Sequence, residues 1–223
     1  LERPEISGTF QGTHTLQLDV PAYAAADPQG EITVQLGENL WPELGGAVDA
    51  LLDYPHGCLE QTTSSTLPLL AAQIILPRTG TRHADGADLA KMIEAGIARL
   101  SLMRTTDGGL AYWPGDTSAH VYGTAYAFLA LDRAARNKVP KAEPLRDAVA
   151  EFLRARLERG VDSVDTLAFM AASLSSAGLL DPARLPALWD RRVAMSAFGR
   201  AHLALAALRD RRDQAETLAD ELE

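Results

Sequence analysis

The feature that most constrains this chain is a change of hydrophobic period near residue 38. Thr13 to Val20 (T-H-T-L-Q-L-D-V) alternates polar and apolar residues, with Leu16, Leu18 and Val20 on one face. Glu31 to Leu36 (E-I-T-V-Q-L) repeats the alternation through Ile32, Val34 and Leu36. A period of two over such lengths marks half-buried strands, joined here by a Pro/Ala/Asp/Gly connection from Pro21 to Gly30. Two strands do not make a stable sheet alone, so their partners are expected elsewhere in a longer parent chain. The absence of an initiating Met at Leu1 fits the same expectation of an excised segment.

After Gly37 the apolar residues recur at helical spacing. Asn39 can cap a helix that turns Leu44, Val48, Leu51 and Leu52 inward. Leu89, Met92, Ile93, Gly96, Ile97 and Leu100 form a second stripe, and Ala125, Tyr126 and Leu129 mark a helix within residues 119–137. Pro144 is expected as the first residue of a helix carrying Leu145, Val149, Phe152 and Leu157. Val164 to Ala177 follows and stops at Gly178, Asp181-Pro182 opens a short helix with Leu185, Leu188 and Trp189, and Ala197 to Leu208 and Asp213 to Leu222 complete the set. About nine helices with short links and no strands between them make the chain mainly α. The expected organisation is a β-strand segment of an adjoining β-domain over residues 1–38 and a helical domain over residues 39–223. Successive Ala-rich helix pairs suggest stacked αα-hairpins, in a solenoid or in a ring; periodicity does not separate the two.

Composition narrows the function classes. Hydrophobic residues at 47% and charged residues at 23% describe a folded domain. With 21 Lys and Arg against 30 Asp and Glu the net charge is −9, which argues against nucleic acid or an anionic membrane as partner. No run of eighteen apolar residues exists to span a membrane. A single cysteine, Cys58, excludes an internal disulfide and a multi-cysteine zinc site. His14, His83 and His202 are too scattered to ligate a metal, and no cofactor is expected. Asp107, Asp116 and Asp132 do not pair as in a hydrolase, and neither a phosphate-binding glycine loop nor a serine elbow occurs.

Chemistry concentrates at Tyr54 to Thr62 (Y-P-H-G-C-L-E-Q-T). Cys58 and Gln61 are three apart, so one helical turn sets both side chains on one face. That spacing lets a thiolate reach the side-chain amide carbon of Gln61, and loss of ammonia would leave a thioester. A position at the start of a helix would favour the thiolate, and Pro55 and Gly57 suit a sharp turn before it. Taken alone, C-x-x-Q is a common pair, more often satisfied by a buried core cysteine than by a working thiol. A thioester would need a dry surrounding, for which Tyr54, Tyr112 and Trp113 are candidates; the last two belong to a stiff aromatic loop, Asp107 to Gly115 (D-G-G-L-A-Y-W-P-G), suited to a pocket wall. Glu60 could shuttle a proton during ammonia loss or simply face solvent. His56 and His120 are read as packing and hydrogen-bonded structure rather than catalysis.

Residues 54–62 resemble the thioester signature of the alpha-2-macroglobulin and complement family, in which Tyr-Pro-x-Gly-Cys-x-Glu-Gln is highly specific. Thr62, Thr63 and Ser64 are similar to the bacterial branch. The I-T-V-Q-L-G strand, Pro68, the D-G-G-L-A-Y-W loop and the T-A-Y segment at Thr124 to Tyr126 extend the resemblance over most of residues 13 to 160. It implies an α/α toroid, shortened here, and a Cys58–Gln61 thioester in a broad-spectrum protease trap. A lysine amine of the attacking protease would take the Gln61 acyl group and free Cys58, once per molecule and without enzymatic turnover. The partners implied are target proteases and other domains of the parent chain. The resemblance also implies a periplasmic, often lipid-anchored bacterial parent with a defensive role. In some complement relatives a later histidine attacks the thioester first; Val161 to Ala177 holds none, so direct attack by amines is expected. Two other functions fit the residues less fully. One is a cysteine-dependent acyl-transfer or lipid-modifying enzyme on an α/α toroid, and the other a non-covalent helical interaction module.

Overall fold

The computed structural model describes residues 57–79 and 86–222, together with 11–13, 15 and 17. The second expected strand, all of the first but residues 13, 15 and 17, the Asn39 helix, Tyr54, His56, His14 and His83 lie outside the described residues. The chain divides into two units, Leu1–Glu38 and Asn39–Glu223, and the helices belong to the second.

Eight α-helices are described: α1 Leu59–Thr79, α2 Gly86–Leu102, α3 Val121–Arg136, α4 Ala142–Arg159, α5 Val164–Ser176, α6 Leu185–Asp190, α7 Ala197–Ala207 and α8 Arg212–Asp220. Single 3-10 turns, Pro182–Arg184 and Arg192–Ala194, flank α6. Among the described residues no strand ladder forms, as the helical periodicity anticipates; two isolated antiparallel bridges lie in the α2–α3 connection. The chain is mainly helical.

Local chemistry sets most boundaries. Ser163 caps α5 by accepting from the Thr166 N–H at 3.2 Å, and Ser196 caps α7 by accepting from Gly199 N–H at 3.3 Å. The end of α5 is a Schellman motif: Leu179 N–H donates to Leu174 O and Gly178 N–H to Ser175 O, each at 2.9 Å, with Gly178 at φ +74°. The expected start of α4 at Pro144 is corrected. The helix begins at Ala142, and Pro144 is its third residue, where a missing N–H costs nothing because the first turn has no partner for it. In α1 the run Thr62-Thr63-Ser64-Ser65-Thr66 is a poor helix former by propensity. It folds as helix because Thr63 and Thr66 return their hydroxyls to the Leu59 and Thr62 carbonyls at 2.7 Å, and because Leu59, Leu69 and Leu70 are buried.

The helices pack in pairs, α1 with α2, α3 with α4 and α5 with α7, while α1, α3 and α5 lie successively against one another. Alternate helices therefore form a shared layer. This explains why α5 is buried on every side from Leu167 to Leu174, and why α3 buries Ala125, Ala127, Phe128, Ala130 and Leu131 around most of its girth. Small residues set the spacing between layers: a Cβ at Gly96 of α2 would collide with the Thr66 hydroxyl of α1. A single apolar cluster runs from Leu59 in α1 to Leu218 in α8.

Candidate functional site: the first turn of helix α1

Cys58 stands just before α1 and is 5% exposed. Its carbonyl accepts from Thr62 N–H at 2.9 Å, the bond that opens the helix, so Cys58 is the N-cap residue. Gln61, three residues on, bends back so that its Oε1 accepts from the Cys58 N–H at 3.1 Å. This is the return half of a capping box, with the cysteine where a serine or threonine usually stands. The same bond brings the Gln61 amide over Cys58, as the spacing anticipates, while Gln61 itself stays exposed.

Two neighbours hold that turn. Space requires glycine at position 57: a Cβ there would lie 2.8 Å from Gln61 Cβ and 3.2 Å from Thr62 N. The Gly57 carbonyl accepts from Arg99 Nε at 3.0 Å and Nη2 at 2.9 Å, and from Thr62 Oγ1 at 3.3 Å. Arg99 sits in the last turn of α2, so the α1–α2 pairing delivers its guanidinium to the site. Sequence reasoning missed Arg99, since no local pattern separates it from any arginine on a helix flank.

The α2–α3 connection, residues 103–120, crosses the same turn. It is fastened internally by Thr105 N–H to Gly109 O at 2.9 Å, Ala111 N–H to Met103 O at 2.7 Å and His120 N–H to Leu110 O at 2.8 Å. Asp107 accepts from the Thr105 hydroxyl at 2.5 Å, and the buried Thr124 hydroxyl accepts from Leu110 N–H at 3.0 Å. The connection reaches α1 through Leu59 N–H, an unpaired donor of a helix start, which donates to Tyr112 O at 3.0 Å. The aromatic loop is thus a strap across the helix start.

The Tyr112 side chain is an aromatic group of the strap beside this turn. Trp113 and His120 pack edge-on to its ring, at centroid separations of 5.8 and 5.2 Å. Of the expected shielding residues, Tyr112 joins the helix start through its carbonyl on Leu59 N–H, Trp113 packs on Tyr112 and is itself 49% exposed, and Tyr54 lies outside the described residues. Burial pushes the Cys58 thiol up, but the Tyr112 hydrogen bond and the Gln61 and Glu60 backbone bonds outweigh burial and the Glu60 charge; the thiol falls below its ordinary value. The bond with Cys58 likewise raises Tyr112.

Other candidates take structural positions. His120 is the N-cap of α3, its Nδ1 accepting from Gly123 N–H at 3.1 Å. His202 packs on Phe169 and Phe198, and Asp132 is paired with Arg136 at 2.7 Å. Asp116 is exposed. Among the described residues no cluster of three or more His, Cys, Asp or Glu could hold a metal ion, and no helix is long and apolar enough to cross a membrane.

A buried cysteine and a folded-back glutamine thus stand together at the head of a layered helical domain. The family model described as the A-macroglobulin TED domain matches residues 32–180. The chain belongs to this family. It is 33% identical over 126 residues to an alpha-2-macroglobulin of Ralstonia nicotianae, covering 54% of this chain and 8% of that protein. The crystal structure of Salmonella alpha-2-macroglobulin reacted with methylamine matches at a TM-score of 0.69 and 24% identity, covering 80% of this chain and 13% of that one. Trypsin-activated alpha-2-macroglobulin from Escherichia coli matches at 0.64 and 25%, covering 76% and 13%. The chain thus spans a small part of these relatives, and its helices correspond to their helical thioester-domain region.

Proposed function

We propose that Cys58 and Gln61 form an internal thioester, and that the chain is the covalent-attachment domain of a bacterial protease trap. The observation that carries this reading is the Gln61 side chain folded onto the Cys58 N–H at 3.1 Å, with the thiol buried and lowered in pKa. The Cys58 thiolate adds to the Gln61 amide carbon, ammonia leaves with a proton, and an acyl–sulfur bond closes the ring. Sulfur donates weakly into the carbonyl, so the bond stores an acyl group that amines take readily. A protease lysine attacks Gln61, the carbon–sulfur bond breaks, and Cys58 is released as a thiol. Each domain reacts once, so this is capture without turnover.

The relatives support the protease side of this reading. One was solved after activation by trypsin, and another after reaction with methylamine, a small amine of the kind that opens such a bond. Direct amine attack fits the absence of histidine from Val161 to Ala177. An acyl-transfer enzyme would want a histidine base, and His120 commits its Nδ1 to capping α3. The parent protein is placed by this proposal in the periplasm, with the trap serving defence against incoming proteases; cell fractionation tests the location.

The test is the intact mass of the freshly purified full chain before and after methylamine, with thiol titration alongside. The expected mass is one ammonia below the sequence value, rising by one methylamine as one thiol appears. Cys58→Ala abolishes both changes and keeps the helical content. A sequence-value mass, a free thiol from the outset and no methylamine uptake would overturn the reading in favour of a non-covalent helical module. A mass matching Glu at 61 would report a bond that formed and was hydrolysed.

A further inference from the structure

We propose that the Gly57–Cys58 peptide is the oxyanion site of the thioester chemistry: its N–H holds the Gln61 side-chain oxygen while that oxygen carries charge, and Arg99 acts through the peptide as a positioning residue. The inference deepens the thioester reading and rests on it. The Cys58 N–H lies 3.1 Å from Gln61 Oε1, and an N–H can be accepted only by the oxygen of that amide. The acceptor is thus the oxygen of the carbon that the thiol must attack. Two neighbouring donors of the helix start are engaged elsewhere, Leu59 N–H on Tyr112 O at 3.0 Å and Thr62 N–H on Cys58 O at 2.9 Å. The other side of the Gly57–Cys58 peptide is held by a cation. Gly57 O accepts from Arg99 Nε at 3.0 Å, from Arg99 Nη2 at 2.9 Å and from Thr62 Oγ1 at 3.3 Å. Donors from a cation draw electron density onto that carbonyl and leave the N–H of the same peptide a stronger donor. A Cβ at Gly57 would lie 2.8 Å from Gln61 Cβ, so glycine is what lets the side chain fold over this peptide.

In ring closure the Cys58 sulfur adds to Gln61 Cδ, and the carbonyl electron pair moves onto Oε1. The adduct collapses when that pair re-forms the carbonyl and Nε2 leaves, the proton of the thiol departing on the ammonia. In capture an amine adds to the same carbon, and the same oxygen takes the charge. The carbon–sulfur bond then breaks, the electron pair passes to sulfur, and the surplus proton of the amine passes through water to Cys58. Gln61 is left as an N-substituted amide. Both adducts put negative charge on one oxygen, and in both the Cys58 N–H faces it. A donor already in place costs no reorganisation when that charge appears. Arg99 does not touch the oxygen; its effect runs from guanidinium to Gly57 carbonyl, and from Cys58 N–H to Oε1. Because Arg99 stands in the last turn of α2, the α1–α2 pairing completes the site.

Arg99→Met removes the cation and Arg99→Lys keeps it with a single donor group. Two readouts in the full chain test the proposal, both taken on the molecules that carry the ammonia-deficient mass. One is the rate of thiol release by methylamine. The other is the thioester carbonyl band, isolated as the infrared difference before and after methylamine with carbonyl-labelled glutamine. In Arg99→Met the release rate is expected to fall about tenfold, and the band to move to higher wavenumber as its hydrogen bond weakens. Arg99→Lys should lie between Arg99→Met and wild type in both, and it carries the test if Arg99→Met yields no ammonia-deficient molecules. A purely structural role for Arg99 predicts the opposite sign, because a loosened fold opens the bond to amines and hastens release. If wild type shows the ammonia deficit and the variants release thiol at the wild-type rate or faster, or leave the band unmoved, this inference fails and the thioester reading stands. If wild type shows neither the deficit nor methylamine uptake, the thioester reading fails and takes this inference with it.

Discussion

Cys58 lies at a helix start held by three residues with different tasks: Gly57 supplies room, Gln61 returns to the cap, and Arg99 grips the Gly57 carbonyl from another helix. The Arg99 contact fixes the peptide that precedes the nucleophile, and with it the direction of the Cys58 N–H that Gln61 uses. Arg99→Met is expected to destabilise the fold by about 1–3 kcal/mol, the range for a hydrogen bond from a charged donor, read from urea unfolding midpoints. Thr62 Oγ1 remains on the same carbonyl at 3.3 Å, so the loss falls short of a fully orphaned buried acceptor. The same variant should lower the fraction of molecules with the ammonia-deficient mass, and Arg99→Lys should recover part of it. The Cys58–Gln61 pairing was legible in the sequence because one helical turn dictates it. Arg99 was not, because it comes from 42 residues away, through a helix packing that no local pattern encodes.

Among the elements, the α2–α3 connection departs most from its sequence reading. Its glycines and aromatics suggest a stiff loop lining a pocket, and stiffness is what the internal hydrogen bonds supply. Its position across the head of α1 comes from the partner it finds in Leu59 N–H. Gly109 lets the strap lie close to α4: a Cβ there would stand 2.5 Å from Ala119 Cβ and 2.9 Å from the Phe152 ring. Gly109→Ala should therefore cost about 1–3 kcal/mol through overpacking, measured by thermal or urea unfolding. Once methylamine has opened the bond, displacing the strap should also make Cys58 react faster with bulky thiol reagents, in native conditions where the core helices are still folded. By contrast the buried face of α2 and the limits of α5 were readable from the sequence. The stripe of Leu89, Ile93, Ile97 and Leu100 is buried, and Gly178 ends α5 in the left-handed conformation that only glycine adopts freely.

At the scale of the helical unit, one apolar cluster joins α1 to α8, so the site and the distant helices share a core. Phe128, in the middle of α3, is fully buried within it. Phe128→Ala is expected to lose about 3–5 kcal/mol, and circular dichroism and Cys58 accessibility should report that loss at the same denaturant concentration. Separate midpoints would mean that the Cys58 turn unfolds apart from the core. The sequence by itself determined the helical class, most helix limits, the capping glycine and the Cys58–Gln61 pair, because each follows from spacing within a few residues of backbone. It also carried the family resemblance through a contiguous nine-residue motif. Only the tertiary structure decided that α1, α3 and α5 share a layer, that Arg99 reaches Gly57, and that the Tyr112 carbonyl takes the Leu59 N–H. Those contacts join residues tens of positions apart, and the free energy that selects them comes from burying helix faces against one another, a quantity that no single segment of the chain contains.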